Sequence, residues 1–330
     1  MTNRVGTLKH ALAAVGLGLL ASATAQAADV KYPTQTVRIV VPYVAGGIAD
    51  TTARILREFL VKKWGDSVIV DNRPGGATVT ATAYVANSEP NGHTMLLTAT
   101  PFLVNPSLQA KLPFDTERDF RGVSMVVGQS VAMVAHPSVK ADNLGEFIAE
   151  AKKRETPFGF GSSGIGGISH LVGEMFAEQA GIQMTHIPYR GGAAGIVDVV
   201  GGHIPVHFDA GFASKPHVDA GRLKVLGITA PKRAPNMPNV PTFNETLPGF
   251  EAQSISSLVV PANTPSDVIE KISADIQSVV RSPEFAEQVG KVGLEAIASM
   301  PGELDMYNRA EIAKWAKVIK AANIQAQSKN

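Results

Sequence analysis

The chain reads as two α/β lobes joined by two crossovers, and three observations predict that fold. A strand–helix–strand–helix–strand order runs from residue 36 to 100. The same order recurs from 156 to 210, with glycine-rich loops at matching places in each half. An apolar, β-branched segment at 256–261 then follows the second half and is suited to return to the first.

Residues 1–27 stand apart from both halves. Arg4 and Lys9 give a positive start, ALAAVGLGLLASA (11–23) is apolar, and Ala25-Gln26-Ala27 has small residues at cleavage spacing. A secretory signal peptide is expected, with Ala28 as the mature N-terminus. The apolar run falls short of the roughly 20 residues a spanning helix needs. The mature protein is therefore expected in the periplasm of a Gram-negative cell. There is no cysteine, so neither a disulfide nor a lipoprotein anchor is available, and stability rests on a core that about 300 residues can build.

TVRIVVP (36–42) has the continuous β-branched pattern of a buried parallel strand. YVAGGIAD is a loop, and TTARILREFLVKKWG (51–65) carries Ile55, Leu56, Phe59 and Leu60 at helical spacing, closed by Gly65. SVIVDN (67–72) is a second strand, RPGG a loop, 77–86 a helix and TMLLTAT (94–100) a third strand. In the second half TPFGFGS, THIPY and IPVHFDA (204–210) are strands, while ISHLVGEMFAEQAG and AAGIVDVVGG are helices. Gly46-Gly47 matches Gly166-Gly167, Gly75-Gly76 matches Gly191-Gly192, and Thr98 stands near the counterpart of Asp209. VVGQSVAMVAHPS (126–138) is the first crossover and SSLVVP the second, followed by helices over 266–282, near Glu284 and over 302–322 that can pack on the first lobe. The architecture is thus two Rossmann-like lobes with a hinge over a cleft. Residues 28–129 plus 250–330 make the first lobe and 130–249 the second.

Composition excludes several functions. The net charge is +1, and removing Arg4 and Lys9 leaves 28 basic against 29 acidic residues with no basic run. A phosphate-backbone partner, and so nucleic acid, is not expected. GFGSSG (159–164) matches the dinucleotide spelling G-x-G-x-x-G, but the following strand ends THIPYR without an acidic residue and the helix begins after Gly167. Ser163 and His170 suggest a hydrolase, yet there is no G-x-S-x-G elbow. His203 and His207, taken on one strand, would stand about 13 Å apart, too far to share a metal.

The loops carry the chemistry. In open α/β sheets ligands bind beyond the carboxyl ends of the strands, and a helix N-terminus there offers unpaired N–H groups and partial positive charge to an anion. Two such ends facing across a cleft would hold a molecule with a carboxylate at each end. The same glycines also suit plain strand-to-helix turns.

The motifs VPYVAGGIADTTARIL, VDNRPGG, NGHTMLL, GSSGIGGISHL, IPYRGG, GGHIPVHFD, GRLKVLGIT, VPTFNE, GLEAIASMP and AKWAKVIKAANI stand in that order from about residue 32 to 324. With them the chain resembles the Bug-type solute-binding receptors of tripartite tricarboxylate transporters. The resemblance implies a type II periplasmic binding protein, a two-lobed Venus flytrap that closes over organic acids, without a cofactor, and hands them to a two-component membrane permease; a monomer is expected. It places the first-lobe ligand loop at 43–50, with Tyr43, Gly46, Gly47, Ile48 and Ala49, where waters help to hold the carboxylate. The second-lobe loops fall at 162–170, with Ser162, Ser163, Gly164, Gly166 and His170, and at 188–192, with Tyr189 and Arg190. Thr98, Thr100 and Asp209 at strand ends complete the expected site.

Departures from the family pattern bear on the ligand. Ile48 and Ala49 replace small or hydroxylated residues, and Gly167 replaces a serine between Ile165 and Ile168. If these isoleucines face the cleft, a dicarboxylate with an apolar or aromatic body is expected, of the phthalate or terephthalate kind. If they pack inward, a citrate-like aliphatic acid fits as well. Arg190 has two readings, a carboxylate clamp or a partner of Asp198. The same choice exists for Arg73. Asp50 is expected to cap its helix, and His170 either to donate to a ligand or to pack. Asp209 would repel a carboxylate unless it orders a loop. A ligand sensor and an exported serine hydrolase are the rival functions.

Overall fold

The computed structural model describes residues 31–65, 67–211, 213–234 and 237–325; the expected signal peptide lies outside the described residues. The first βαβαβ unit is β1 (Val37–Val41), α1 (Ile48–Trp64), β2 (Val68–Asn72), α2 (Val79–Ala86) and β3 (Thr94–Leu97), followed by α3 (Thr100–Leu108). β4 (Phe120–Gln129) leads directly into β5 (Val131–Ala135) and α4 (Leu144–Ala151). The second unit is β6 (Phe158–Ser162), α5 (Ile168–Ala180), β7 (Met184–Pro188), α6 (Gly192–Val200) and β8 (Val206–Ala210), then α7 (Lys215–Asp219), β9 (Lys224–Ile228) and α8 (Phe243–Thr246). β10 (Ser254–Pro261), α9 (Ser266–Val280), α10 (Pro283–Gly290), β11 (Glu295–Ala296) and α11 (Pro301–Ala321) complete the chain.

These strands form two sheets, β11-β4-β10-β3-β1-β2 and β7-β6-β8-β5-β9. The repeat is explicit in the order. Each sheet has its second, first and third parallel strands side by side and then one antiparallel strand from outside the βαβαβ unit, β10 in the first sheet and β5 in the second. β10 lies antiparallel between β3 and β4, and β5 antiparallel between β8 and β9. Since β4 ends where β5 begins, the carboxyl ends of β1 and β3 point toward the crossover. Ala210, at the end of β8, pairs with Val131 at the start of β5, so β6 and β8 point toward it from the other side.

The two crossings are tied to each other. The Gln253 amide donates to Ser130 Oγ at 3.1 Å, Gly211 N donates to the Ser130 carbonyl at 3.1 Å, and Val131 N donates to Thr229 Oγ1 at 2.9 Å. α11 packs on α3 and β4 of the first lobe and also on α5 of the second. One apolar cluster accordingly runs from Val40, Leu96 and Phe120 through Trp315 and Ile319 of α11 to Phe160, Phe176 and Phe208. The terminal helix bridges both lobes instead of belonging to the first alone.

Local departures from the expected elements have simple causes. The third strand stops at Leu97, and Thr100 starts α3, because Pro101 is at home in a helix's first turn, where its missing N–H costs nothing. His203 sits in a turn before β8, since the strand begins only after Pro205. No helix among the described residues is long and apolar enough to cross a membrane.

The second lobe packs glycines against rings. A Cβ on Gly173 of α5 would lie 2.3 Å from the Phe160 ring, and one on Gly195 of α6 only 2.4 Å from His207. The His207 ring is fully buried, and neither of its nitrogens meets a protein partner among the described residues. Burial therefore holds it uncharged, with its pKa pushed down to about 4.

Two outcomes follow. Gly173→Ala should gain about 1 kcal/mol of helix propensity yet lose more to overpacking on Phe160, typically 1–3 kcal/mol; urea unfolding should give a net destabilisation, and a stabilised variant would contradict the packing. For His207, the unfolded chain takes up a proton below about pH 6.5 that the folded chain refuses down to about 4. Its contribution is intact above the unfolded value and is lost as pH falls, by about 2 kcal/mol on reaching about pH 5. His207→Met should remove that part of the acid slope of the melting temperature.

Candidate functional site

The first-lobe loop follows β1 and ends at the N-terminus of α1. Gly46 has φ +89°, a left-handed value that favours glycine, and Gly47 is the N-cap with no side-chain cap. Asp50, buried in the first turn, accepts from Gly46 N at 2.9 Å and from Arg54 Nε at 2.8 Å. Arg54 above all holds its pKa down, to about 2, with the Gly46 N–H helping against burial. Asp50 is thus a fixed part of the turn, and its charge already complements part of the α1 dipole. The Tyr43 carbonyl accepts from the Asn72 side chain at 3.1 Å, and burial pushes the Tyr43 hydroxyl up to about 12, leaving it a neutral hydrogen-bonding group. Ile48 is 42% exposed, Val44 is 66% exposed, and Ala49 is buried.

The second-lobe loop is held from beneath. α5 begins at Ile168 after an N-cap at Gly167, well past the GFGSSG stretch, and Gly164 and Gly166 have φ +134° and +74°. Ser163 N donates to Ser169 Oγ at 3.0 Å, and the two hydroxyls pair at 2.9 Å. Gly164 N donates to Ser162 Oγ at 3.2 Å, and Gly166 N to His170 Nδ1 at 3.1 Å. Ser162 Oγ is 2.6 Å from His186 Nε2. The His170 and His186 rings stack with centroids 3.6 Å apart. Burial, and then the neighbouring His170, push the His186 pKa down to about 3.

These contacts bear on three of the residues expected at the site. Ser162 is fully buried and its hydroxyl faces His186, not the cleft. The Ser163 hydroxyl is engaged by Ser169. His170 is buried and packed, so it supports the loop from below. Among the described residues Ser163 and His170 form no hydrogen bond with each other, and Ser162, which meets His186, is fully buried. Ile165 is 38% exposed whereas Ile168 is 7% exposed, so of the two flanking isoleucines one faces outward and one packs.

The third loop lies between β7 and α6. Tyr189 N and Gly191 N donate to the Ser162 and Ser163 carbonyls, at 3.1 and 3.2 Å, which joins it to the second loop. Asp198 accepts from the Tyr189 hydroxyl at 2.7 Å. Arg190 is exposed and has no hydrogen-bond or ion-pair partner among the described residues. Arg73, by contrast, pairs with Asp71 at 2.8 Å and stacks on Tyr84 at 3.6 Å. Asp209 is buried and accepts from Ser214 N at 2.7 Å; burial raises its pKa, and its role is to order the turn after β8. Thr98 Oγ1 meets Ser257 Oγ at 2.7 Å and Thr100 Oγ1 meets Ser254 Oγ at 2.8 Å, so both threonines turn toward β10.

Several residues at this end of the molecule had no sequence signal. Ala77 and Thr78 adopt φ +51° and +76°, strained for a β-branched residue, after Gly75 and Gly76 at +130° and +56°. Asn105 of α3 pins this run by donating to the Ala77 carbonyl at 2.8 Å. The two lobes touch where a Cβ on Gly166 would lie 2.7 Å from Leu108 Cδ1.

His170, Glu174 and His186 bring possible metal-ligating atoms within 4.8 Å of one another. Their orientation does not suit a metal. The ring planes are 12° apart, so the in-plane lone pairs run side by side and do not converge. His170 Nδ1 accepts the Gly166 N–H, which leaves the proton of the neutral ring on Nε2, the atom facing Glu174 at 3.4 Å.

Known proteins share this fold. The profile of the tripartite tricarboxylate transporter family receptor matches residues 52–324. BugT of Bordetella pertussis is 30% identical over 292 residues, 88% of this chain and 90% of that protein. The structure of Rpa4515 of R. palustris with adipate has a TM-score of 0.75 and 28% identity, covering 90% of this chain and 100% of that one. The periplasmic binding protein BugD has a TM-score of 0.71 and 29% identity, with 90% and 100% covered. With its two repeated lobes and its three glycine-rich loops at facing strand ends, the chain belongs to the tripartite tricarboxylate transporter receptor family.

Proposed function

We propose that this protein is a periplasmic receptor for a dicarboxylate with an apolar body, aromatic or polymethylene, that serves a two-component membrane permease and catalyses no reaction. The observation that carries the ligand class is the outward exposure of Ile48 and Ile165 beside two uncapped helix N-termini. Each N-terminus suits a carboxylate, and the isoleucines suit what lies between. Adipate, bound by the relative Rpa4515, is of this chemical kind.

The two ends of the site differ in charge. In the first lobe Asp50 occupies the α1 dipole, so a carboxylate there relies on backbone N–H groups, the neutral Tyr43 hydroxyl and water. In the second lobe Arg190 stands free beside the N-terminus of α6, and a charge-assisted bidentate contact is open to it. A ligand that reaches both ends binds the closed state better than the open one and shifts the population toward closure.

A thermal-shift screen of aromatic and aliphatic mono-, di- and tricarboxylates tests this reading. A ligand at 100 times its Kd stabilises the fold by about 2.7 kcal/mol, or a few degrees at this size. Terephthalate- or adipate-like acids should give the shift. A shift from citrate-like acids alone would overturn the apolar body, and silence from every carboxylate would overturn the receptor. Arg190→Gln should weaken the best ligand by about 10- to 100-fold, the worth of a charged hydrogen bond, with the melting temperature of the unliganded protein unchanged. Unaltered affinity by calorimetry would remove Arg190 from the site.

A further inference from the structure

The most unusual grouping among the described residues is the polar set under the second-lobe loop. Two of the loop's N–H groups, those of Gly164 and Gly166, are satisfied by side chains that depend on neutral histidines. Gly164 N binds Ser162 Oγ, which is itself held by His186 Nε2; Gly166 N binds His170 Nδ1 directly. The two rings are stacked face to face at 3.6 Å. We propose that His170 and His186 are a proton-sensitive positioning pair for the ligand loop: a proton on His170 Nδ1 releases Gly166, weakens the stack and lowers ligand affinity. This inference rests on the receptor reading only for its last step.

The chemistry is direct. A ring nitrogen accepts an N–H bond only through its lone pair, so protonation at Nδ1 puts two hydrogens in the place of one bond. Gly166 then moves, and with it the contact to Leu108 across the lobes and the exposed Ile165. Glu174 lies 3.4 Å from His170 Nε2. The other titratable groups on packed elements do not supply a counter-charge. His186 on β7 and His207 on β8 are neutral at ordinary pH, and Asp209 on β8 is bound to Ser214 N. On α11, Glu311 and Lys314 pair with each other, and Lys314 also donates to the Glu251 carbonyl. Phe160 of β6, whose ring lies 5.0 Å from His186 and 6.4 Å from His170, offers an apolar wall.

The test begins without any ligand. In 15N-labelled protein, long-range ring correlations report which His170 nitrogens carry a proton, and are followed from about pH 8 to about pH 5. Over the same range the Gly164 and Gly166 amides, corrected for intrinsic exchange, should lose protection by about tenfold or more. His170→Asn keeps an acceptor near the Nδ1 position and cannot charge, so its protection should be flat with pH. Wild-type protection as flat as that of the variant overturns the proposal. If His170→Asn fails to fold, the wild-type amides decide alone: protection of Gly164 and Gly166 that stays flat over that pH range overturns the proposal. The second arm uses the carboxylate with the largest thermal shift, adipate being the first probe. Its Kd should rise about tenfold from about pH 8 to about pH 5 in wild type and stay level in the variant. An unchanged wild-type Kd over amides that do open overturns the positioning role. Should no carboxylate bind at all, the amide arm still decides whether the pair holds the loop, and the failure belongs to the receptor reading.

Discussion

The antiparallel pairing of β4 with β10 is the constraint on which the molecule depends. These two strands carry the chain across between lobes, and their ladder spans Ser254 to Pro261 against Gln129 to Phe120. Because they run side by side, the two crossing points come together, and the Gln253–Ser130 hydrogen bond lies between them. Everything at the site inherits its orientation from this. The ladder sets which way β3, and through it β1, must point; the direct run from β4 into β5 sets the direction of β8 and β6. Both glycine-rich loops are thereby turned toward the same gap.

The two halves of the site are built alike and tuned differently. Each presents an uncapped helix N-terminus after a glycine at positive φ. In the first lobe the supporting group is a carboxylate, Asp50, stabilised as an anion by Arg54. In the second it is a stacked pair of imidazoles, His170 buried and His186 half-buried. On the proposed reading, an anion approaching the first loop meets a dipole that is partly spent, whereas the second offers Arg190 in addition. The asymmetry suits a ligand whose two ends are held with unequal strength.

Much of this fold was legible in the sequence because its signals are local. Continuous β-branched runs such as VRIVV mark buried strands, and Gly46, Gly166 and Gly191 mark the turns that need left-handed backbone. α3 was not legible: TPFLVNPSL has two prolines and no amphipathic stripe, and its helix is set by packing on α11. In the site, the loops were legible and the supports were not. Ser162 and His186 meet only because β6 and β7 are paired neighbours, and no spacing in the chain announces that. Thr78 at φ +76° is the opposite case, a backbone state that residue type argues against and that Asn105 imposes from 27 positions away.

The late return of β10 to the first sheet also sets the order in which the lobes can be completed. The second sheet draws all its strands from one continuous stretch, Val131 to Ile228. The first lacks its middle strand until Ser254 to Pro261 is available, and before that β3 and β4 have no common neighbour to join them. For a chain that emerges N-terminus first, the half made later is the first able to close its sheet, and the half made earlier must wait with two open strand edges. The same device that brings the loops face to face therefore leaves the N-terminal lobe, for a time, as the part of the molecule most in need of protection from other chains.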